Sequence, residues 1–146
     1  MSPILECRDY IPKFAQIAVR IARTVLTYIV RRDPLTLMIA AVWLGNGLFC
    51  KVLDLVPRHR AIVARILGEK HSLAITRTIG LAEIAMMVWV LSGLFVRVNA
   101  VTQIVVVASM NILEFFIARD LLLFGRNNAI VATGFIVVVA YWGFYY

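Results

Sequence analysis

Six polar side chains sit inside otherwise apolar frames: Asn46 and Lys51 in one, Glu83 in a second, and Gln103, Asn111 and Glu114 in a third. Together they offer two carboxylates able to exchange a proton, an ammonium to answer one of them, and amide donors suited to holding a carbonyl oxygen. Such a set fits the polar head of an amphiphile. It does not fit thiol or metal chemistry. Cys7 and Cys50 stand far apart without a C-x-x-C, and His59 and His71 have no matching ligand cluster, so no metal site is expected.

The frames around these residues have the length of membrane spans. Of the 146 residues, 62% are hydrophobic and only 16% charged, and the mean hydropathy is +0.89, which excludes a soluble domain. Four apolar segments follow one another at residues 34–53, 78–96, 98–118 and 129–146, each near the ~20 residues that cross a hydrocarbon core. The expected fold is all-α: an integral membrane four-helix bundle running up-down-up-down, preceded by an N-terminal amphipathic interfacial helix within residues 1–33. Asp33 and Pro34 suit a helix start, and "FGRNN" before the fourth segment reads as a turn. Between the second and third segments only Arg97 and Asn99 break the apolar run, so a tight hairpin is expected there. The terminal "YWGFYY" suits an aromatic interface belt.

On an alternating bundle the embedded polar groups gather towards one membrane face. Asn46, Cys50 and Lys51 end the first span, Glu83 lies in the second, and Asn111 and Glu114 close the third. In the third span Asn99, Gln103, Val107, Asn111 and Glu114 recur at steps of four and three, which keeps them on one helical stripe that must face protein. An ionised group at mid-bilayer costs about 2.5–3.5 kcal/mol, so Lys51 must answer Glu83 or Glu114. The remaining carboxylate then takes up a proton, binds a cation or ligand, or reaches water. A competing reading makes these contacts structural glue, with Gly45, Gly47 and Gly80 permitting close packing and Lys51 snorkelling to the headgroups.

Two segments outside the spans are basic and amphipathic. In "YIPKFAQIAVRIARTVLTYIVRR", Ile11, Phe14, Ile17, Ala18, Ile21, Val25 and Ile29 form an apolar stripe, with Arg20 and Arg23 off it. In "RHRAIVARILG", Arg58 and Arg65 accompany Ile62, Val63, Ile66 and Leu67, with Gly68 as a stop. These four arginines are expected at the membrane surface. The net charge of +7 accordingly points to anionic lipid headgroups and not to nucleic acid. The positive-inside count nearly ties, with seven Lys/Arg on the N-terminal side and eight on the other.

"WLGNGLFCKVLDLVPRHRAIVARILG", then "IGLAEIAMMVWVLSG", "MNILEF" and "LLLFGRNN", together resemble the DoxX-like family of small four-helix membrane proteins over residues 43–128. The resemblance implies a four-helix bundle in a bacterial cytoplasmic membrane. It also implies association with quinone-linked or nicotinamide-binding redox proteins, or an accessory or assembly role without catalysis. It supplies no established catalytic set, and the cysteine pairs of disulfide-relay bundles are missing.

The leading expectation is therefore an accessory membrane subunit that binds a quinone or similar amphiphile at a one-leaflet polar layer. That layer comprises Asn46, Lys51, Glu83, Gln103, Asn111 and Glu114. With no electron carrier of its own, the chain needs a redox protein partner for turnover. The alternative is a non-enzymatic lipid-binding or assembly factor gripping lipid through its basic segments. A proton-coupled transporter ranks last, since four helices without an inverted repeat make a poor alternating-access device unless the protein forms a homo-oligomer.

Overall fold

The computed structural model describes residues 13–30, 32–121 and 127–146. The chain divides into two units, Met1–Asp33 and Pro34–Tyr146. In the first, α1 (Lys13–Val30) is a helix on which Ile17 and Ile21 are exposed. The hydroxyls of Thr24 and Thr27 donate back to the carbonyls of Arg20 and Arg23 at 3.0 and 2.8 Å, a common way for threonine to satisfy itself inside a helix. Cys7 and Ile11 lie outside the described residues, as do Gly125 and Arg126 of the "FGRNN" turn.

The second unit is helical, with no strand among the described residues. Helix α2 (Pro34–Leu44) runs on without a break into a π-helical segment, Gly45–Val52. A short loop leads to α3 (Pro57–Leu67), then a single 3-10 turn at Glu69–His71 and α4 (Ser72–Ser92). Helix α5 (Val96–Ile117), a second 3-10 turn at Arg119–Leu121 and α6 (Asn128–Phe144) complete it. Three stretches are long and apolar enough to cross a membrane: Pro34–Val52, Glu69–Ser92 and Val96–Ile117. Helix α6, with 17 residues, is apolar but shorter.

Helix α2 and its π-helical continuation pack along α4, and α5 packs along α6. The core common to them is Ile39, Ala40, Trp43, Val90, Ala100, Val139 and Trp142. Outward faces remain apolar, as on α5, where Val98, Val101, Val105 and Ile112 are all exposed. Lipid tails are as apolar as these side chains, so such faces cost nothing in a bilayer. Polar groups between the helices hold specific pairs in register: the Trp142 indole N–H donates to the Thr36 hydroxyl at 2.8 Å.

Two boundaries differ from the sequence expectation. The second span begins at Ser72 and not at residue 78, because Arg77 lies on an exposed face and does not interrupt the helix. The hairpin turns at residues 93–95 and not at Arg97 and Asn99. Gly93 takes the left-handed conformation (φ +68°) and Phe95 follows at φ +49°. The Gly93 amide donates to Val90 O at 3.2 Å and the Trp89 indole N–H to Leu94 O at 2.8 Å. Glycine adopts the left-handed cap at no steric cost, so the chain turns there. Arg97 and Asn99 then belong to α5, and Asn99 is fully buried.

Candidate functional site

The π-helical segment positions the first functional side chains. Its wider turn appears in the hydrogen bond from Leu53 N to Leu48 O at 2.9 Å, five residues back. Insertions of this kind re-aim the residues that follow, and they occur often at functional sites. Here Gly47 and Lys51 are turned into the bundle and buried. Gly47 meets Gly80 of α4, where a β-carbon on either glycine would lie 2.7 Å from the other's carbonyl oxygen. Only glycine on both sides allows this approach, which carries Lys51 to Glu83.

Lys51 Nζ donates to Glu83 Oε1 in a buried ion pair, with the two side chains 6% and 7% exposed. Of the two carboxylates open to it by sequence, Lys51 therefore takes Glu83. The other carboxylate oxygen, Glu83 Oε2, is buried and has no partner among the described residues. A bonded pair in which one oxygen remains unmatched leaves unmet hydrogen-bonding capacity at the centre of the bundle.

Beside this pair lies a cavity of about 760 Å³. Asn46, Lys51, Glu83, Asn111 and Glu114 all line it, joined by Cys50, Arg58, His59 and Asn128. Its remaining wall is apolar and includes Trp43, Ile62, Val107, Met110, Val131 and Phe135. The rings of Trp43 and Phe135 meet edge to face at 6.2 Å, a favourable aromatic geometry. Met110 and Phe135 thus wall the cavity, whereas Met86 and Met87 of α4 pack against the core.

The polar residues differ in how far they are already satisfied. Asn111 donates to Val107 O at 2.9 Å and accepts from Asn128 Nδ2 at 3.0 Å, joining α5 to α6. Asn46 donates to Val42 O at 3.0 Å. Glu114 enters no ion pair among the described residues, and Cys50 is a free thiol. His59, in α3 and outside the spans, has its pKa lowered from 6.5 to about 4 by burial first and then by the charges of Lys51 and Arg58. It is a neutral imidazole near pH 7. No group of three or more His, Cys, Asp and Glu that could hold a metal ion occurs among the described residues.

Gln103 does not line the cavity. It is fully buried deeper in the bundle, where its Oε1 accepts the Trp43 indole N–H at 2.6 Å and its Nε2 donates to Asn99 Oδ1 at 2.5 Å. Its link to the cavity runs through Trp43, the wall residue it fixes. Arg20 and Arg23 lie in the separate N-terminal unit on exposed positions of α1. Arg65 is exposed and reaches Asp120 with both terminal nitrogens at 3.3 Å. Arg58, expected beside it at the membrane surface, lines the cavity instead. Sequence reasoning also passed over Trp43 and Asn128. Trp43 was within reach, since it precedes Asn46 and Cys50 by three and seven residues on the same helical face.

A bundle of apolar helices with a buried ion pair beside a cavity of mixed polarity defines a helical integral membrane protein. The match to a family model, described as the DoxX-like family, covers residues 40–141. The chain belongs to this family, and the match takes in most of α6, which hydropathy alone had supported. No curated protein and no solved structure matches the chain.

Proposed function

We propose that the protein is an accessory membrane subunit that binds a quinone or similar amphiphile in this cavity. The head would lie against Asn46, Lys51, Glu83 and Glu114, and the tail along the Trp43, Phe135 and Val131 wall. One observation carries the reading: Asn46, Lys51, Glu83, Asn111 and Glu114, drawn from three helices, converge with Arg58, His59 and Asn128 on one cavity whose remaining wall is apolar. Its volume of about 760 Å³ lies within the ~300–1,000 Å³ of small-molecule sites, which are mostly apolar with a few convergent polar groups. The unmatched Glu83 Oε2 is an acceptor available to a hydroxyl on the head.

A quinone head supplies carbonyl oxygens and reversible two-electron chemistry. The chain's own part is to bind and orient that head, exclude water and hold a proton at a carboxylate. Electrons must come from a redox partner, and the setting we propose is the bacterial cytoplasmic membrane. Helix α1 would lie in the headgroup region, its arginines against anionic lipid.

A second reading, a lipid-binding or assembly factor without redox chemistry, draws support from the exposed basic residues Arg60 and Arg65 on α3. The test is to purify the protein in mild detergent and identify what copurifies by native mass spectrometry and lipid extraction. A Glu83→Gln/Glu114→Gln variant of matched helicity serves as comparison. A stoichiometric quinone lost in the variant supports the redox reading. A phospholipid, or nothing, sinks it.

A further inference from the structure

The arginines of α3 divide between two environments. Arg60 is exposed and reaches Asp54 Oδ2 at 3.5 Å, and Arg65 is exposed and reaches Asp120 at 3.3 Å. Arg58 is turned inward to the cavity wall beside His59 and Ile62, and its Nε and Nη1 are buried with no hydrogen-bond partner. Two buried donors without acceptors carry a desolvation cost that a surface role would not impose.

Among the described residues no acceptor meets these two nitrogens, Asp54 Oδ1 being likewise buried without a partner. Glu83 Oε1 is taken by Lys51, and Glu83 Oε2 is itself unmatched. Glu114 lines the same cavity without coming within ion-pair distance of Arg58. The field around Arg58 is also visible at its neighbour. Burial, then the charges of Lys51 and Arg58, push the His59 pKa down to about 4. Only the part due to these two cations favours an electron-rich oxygen, since burial opposes charge of either sign.

We infer that Arg58 is the head-group anchor of the cavity, its guanidinium holding an acceptor oxygen, carbonyl or carboxylate, on the head of a bound amphiphile. A guanidinium presents several N–H donors in a fixed plane and suits such an oxygen better than an ammonium does. Helix α3 is then the polar roof of the site, with Ile62 and Val63 buried beneath it to hold it there. The inference rests on the cavity binding an amphiphile, but not on that amphiphile being a quinone.

The test uses the full chain in lipid nanodiscs and three radiolabelled probes with ten-carbon tails: decylubiquinone, decanoate and decylamine. At least one acceptor-headed probe should bind the wild type saturably and decylamine should not. Arg58→Gln should weaken that binding at least tenfold, Arg58→Lys should recover part of it, and Arg60→Gln should leave it unchanged. Equal affinity in a folded Arg58→Gln, or preferential binding of decylamine, overturns the inference. Arg58-dependent decanoate binding without decylubiquinone binding upholds it and removes the quinone reading. Arg58-independent decylubiquinone binding does the reverse, and no binding of any probe ends both.

A second measurement needs no variant. Phenylglyoxal modifies arginine, and peptide mass spectrometry reads each site separately. The acceptor-headed probe that binds should slow modification of Arg58 at least threefold without protecting Arg60. Absence of that protection overturns the inference even if Arg58→Gln fails to fold.

Discussion

Gly47 and Gly80 face each other so closely that a β-carbon on either would come within 2.7 Å of the other's carbonyl oxygen. This backbone contact sets the separation of α2 and α4 beside the Lys51–Glu83 pair, and both helices contribute to the cavity wall. A Gly80→Ala variant must therefore force the helices apart, since its β-carbon also meets Lys51 Cβ at 2.9 Å. The expected loss is about 1–3 kcal/mol, read as a lowered midpoint in detergent unfolding followed by circular dichroism. Gly134→Ala, with nothing within 4 Å of its β-carbon, should be neutral or slightly stabilising. Equal behaviour of the two variants would show that the glycine contact does not set the spacing.

The ion pair should be strongly coupled. Lys51→Met strands a carboxylate on a residue only 6% exposed, and breaking a buried pair from one side costs about 3–5 kcal/mol. Lys51→Met/Glu83→Met should recover most of that loss, because replacing both partners with apolar groups removes the uncompensated charge. A double-mutant cycle measures the coupling. Simple additivity would mean that each side chain finds water or another partner.

Trp43 is both wall and strut. Trp43→Phe keeps the aromatic face towards Phe135 but removes the indole N–H that Gln103 accepts at 2.6 Å. Interhelical hydrogen bonds of this kind are worth about 0.6 kcal/mol on average within membranes, reaching about 1.7 kcal/mol. A loss in that range is expected, with helicity unchanged. Gln103→Leu in the same background should cost a further increment, because it also removes the bond from Gln103 Nε2 to Asn99 Oδ1.

Acid should destabilise the protein in part through His59. Its folded-state pKa of about 4 lies below the ordinary 6.5, so the unfolded chain takes up this proton first as pH falls. The resulting loss accrues between about pH 6.5 and about pH 4, and none is expected above that window. Lys51 and Arg58 oppose the proton, and the carboxyl groups of Glu83 and Glu114, which line the same cavity, are present in both proteins. The quantity to measure is thus the difference in unfolding midpoint between wild type and His59→Gln across pH 7 to 4. The variant should lose less stability over that range, and parallel curves would sink the assignment.

The sequence alone determined the class of fold and the end of the bundle at which polar groups collect. Hydropathy is a transfer free energy that accumulates residue by residue along the chain, so "LTLMIAAVWL" or "FIVVVAYWGF" announces an apolar helix without reference to any neighbour. Helical spacing likewise placed Asn99, Gln103, Asn111 and Glu114 on one stripe. What that stripe touches was decided by tertiary structure. Gln103 is buried against Trp43 with Asn99 hydrogen-bonded to it, while Asn111 and Glu114 open onto the cavity. The choice of Glu83 as the partner of Lys51, and the inward turn of Arg58, depend on how far each helix is rotated and how closely it approaches the next. Those quantities follow from a π-helical turn and from two glycines meeting across 33 residues of sequence. Neither is a sum over local terms, so only the packed bundle fixes them.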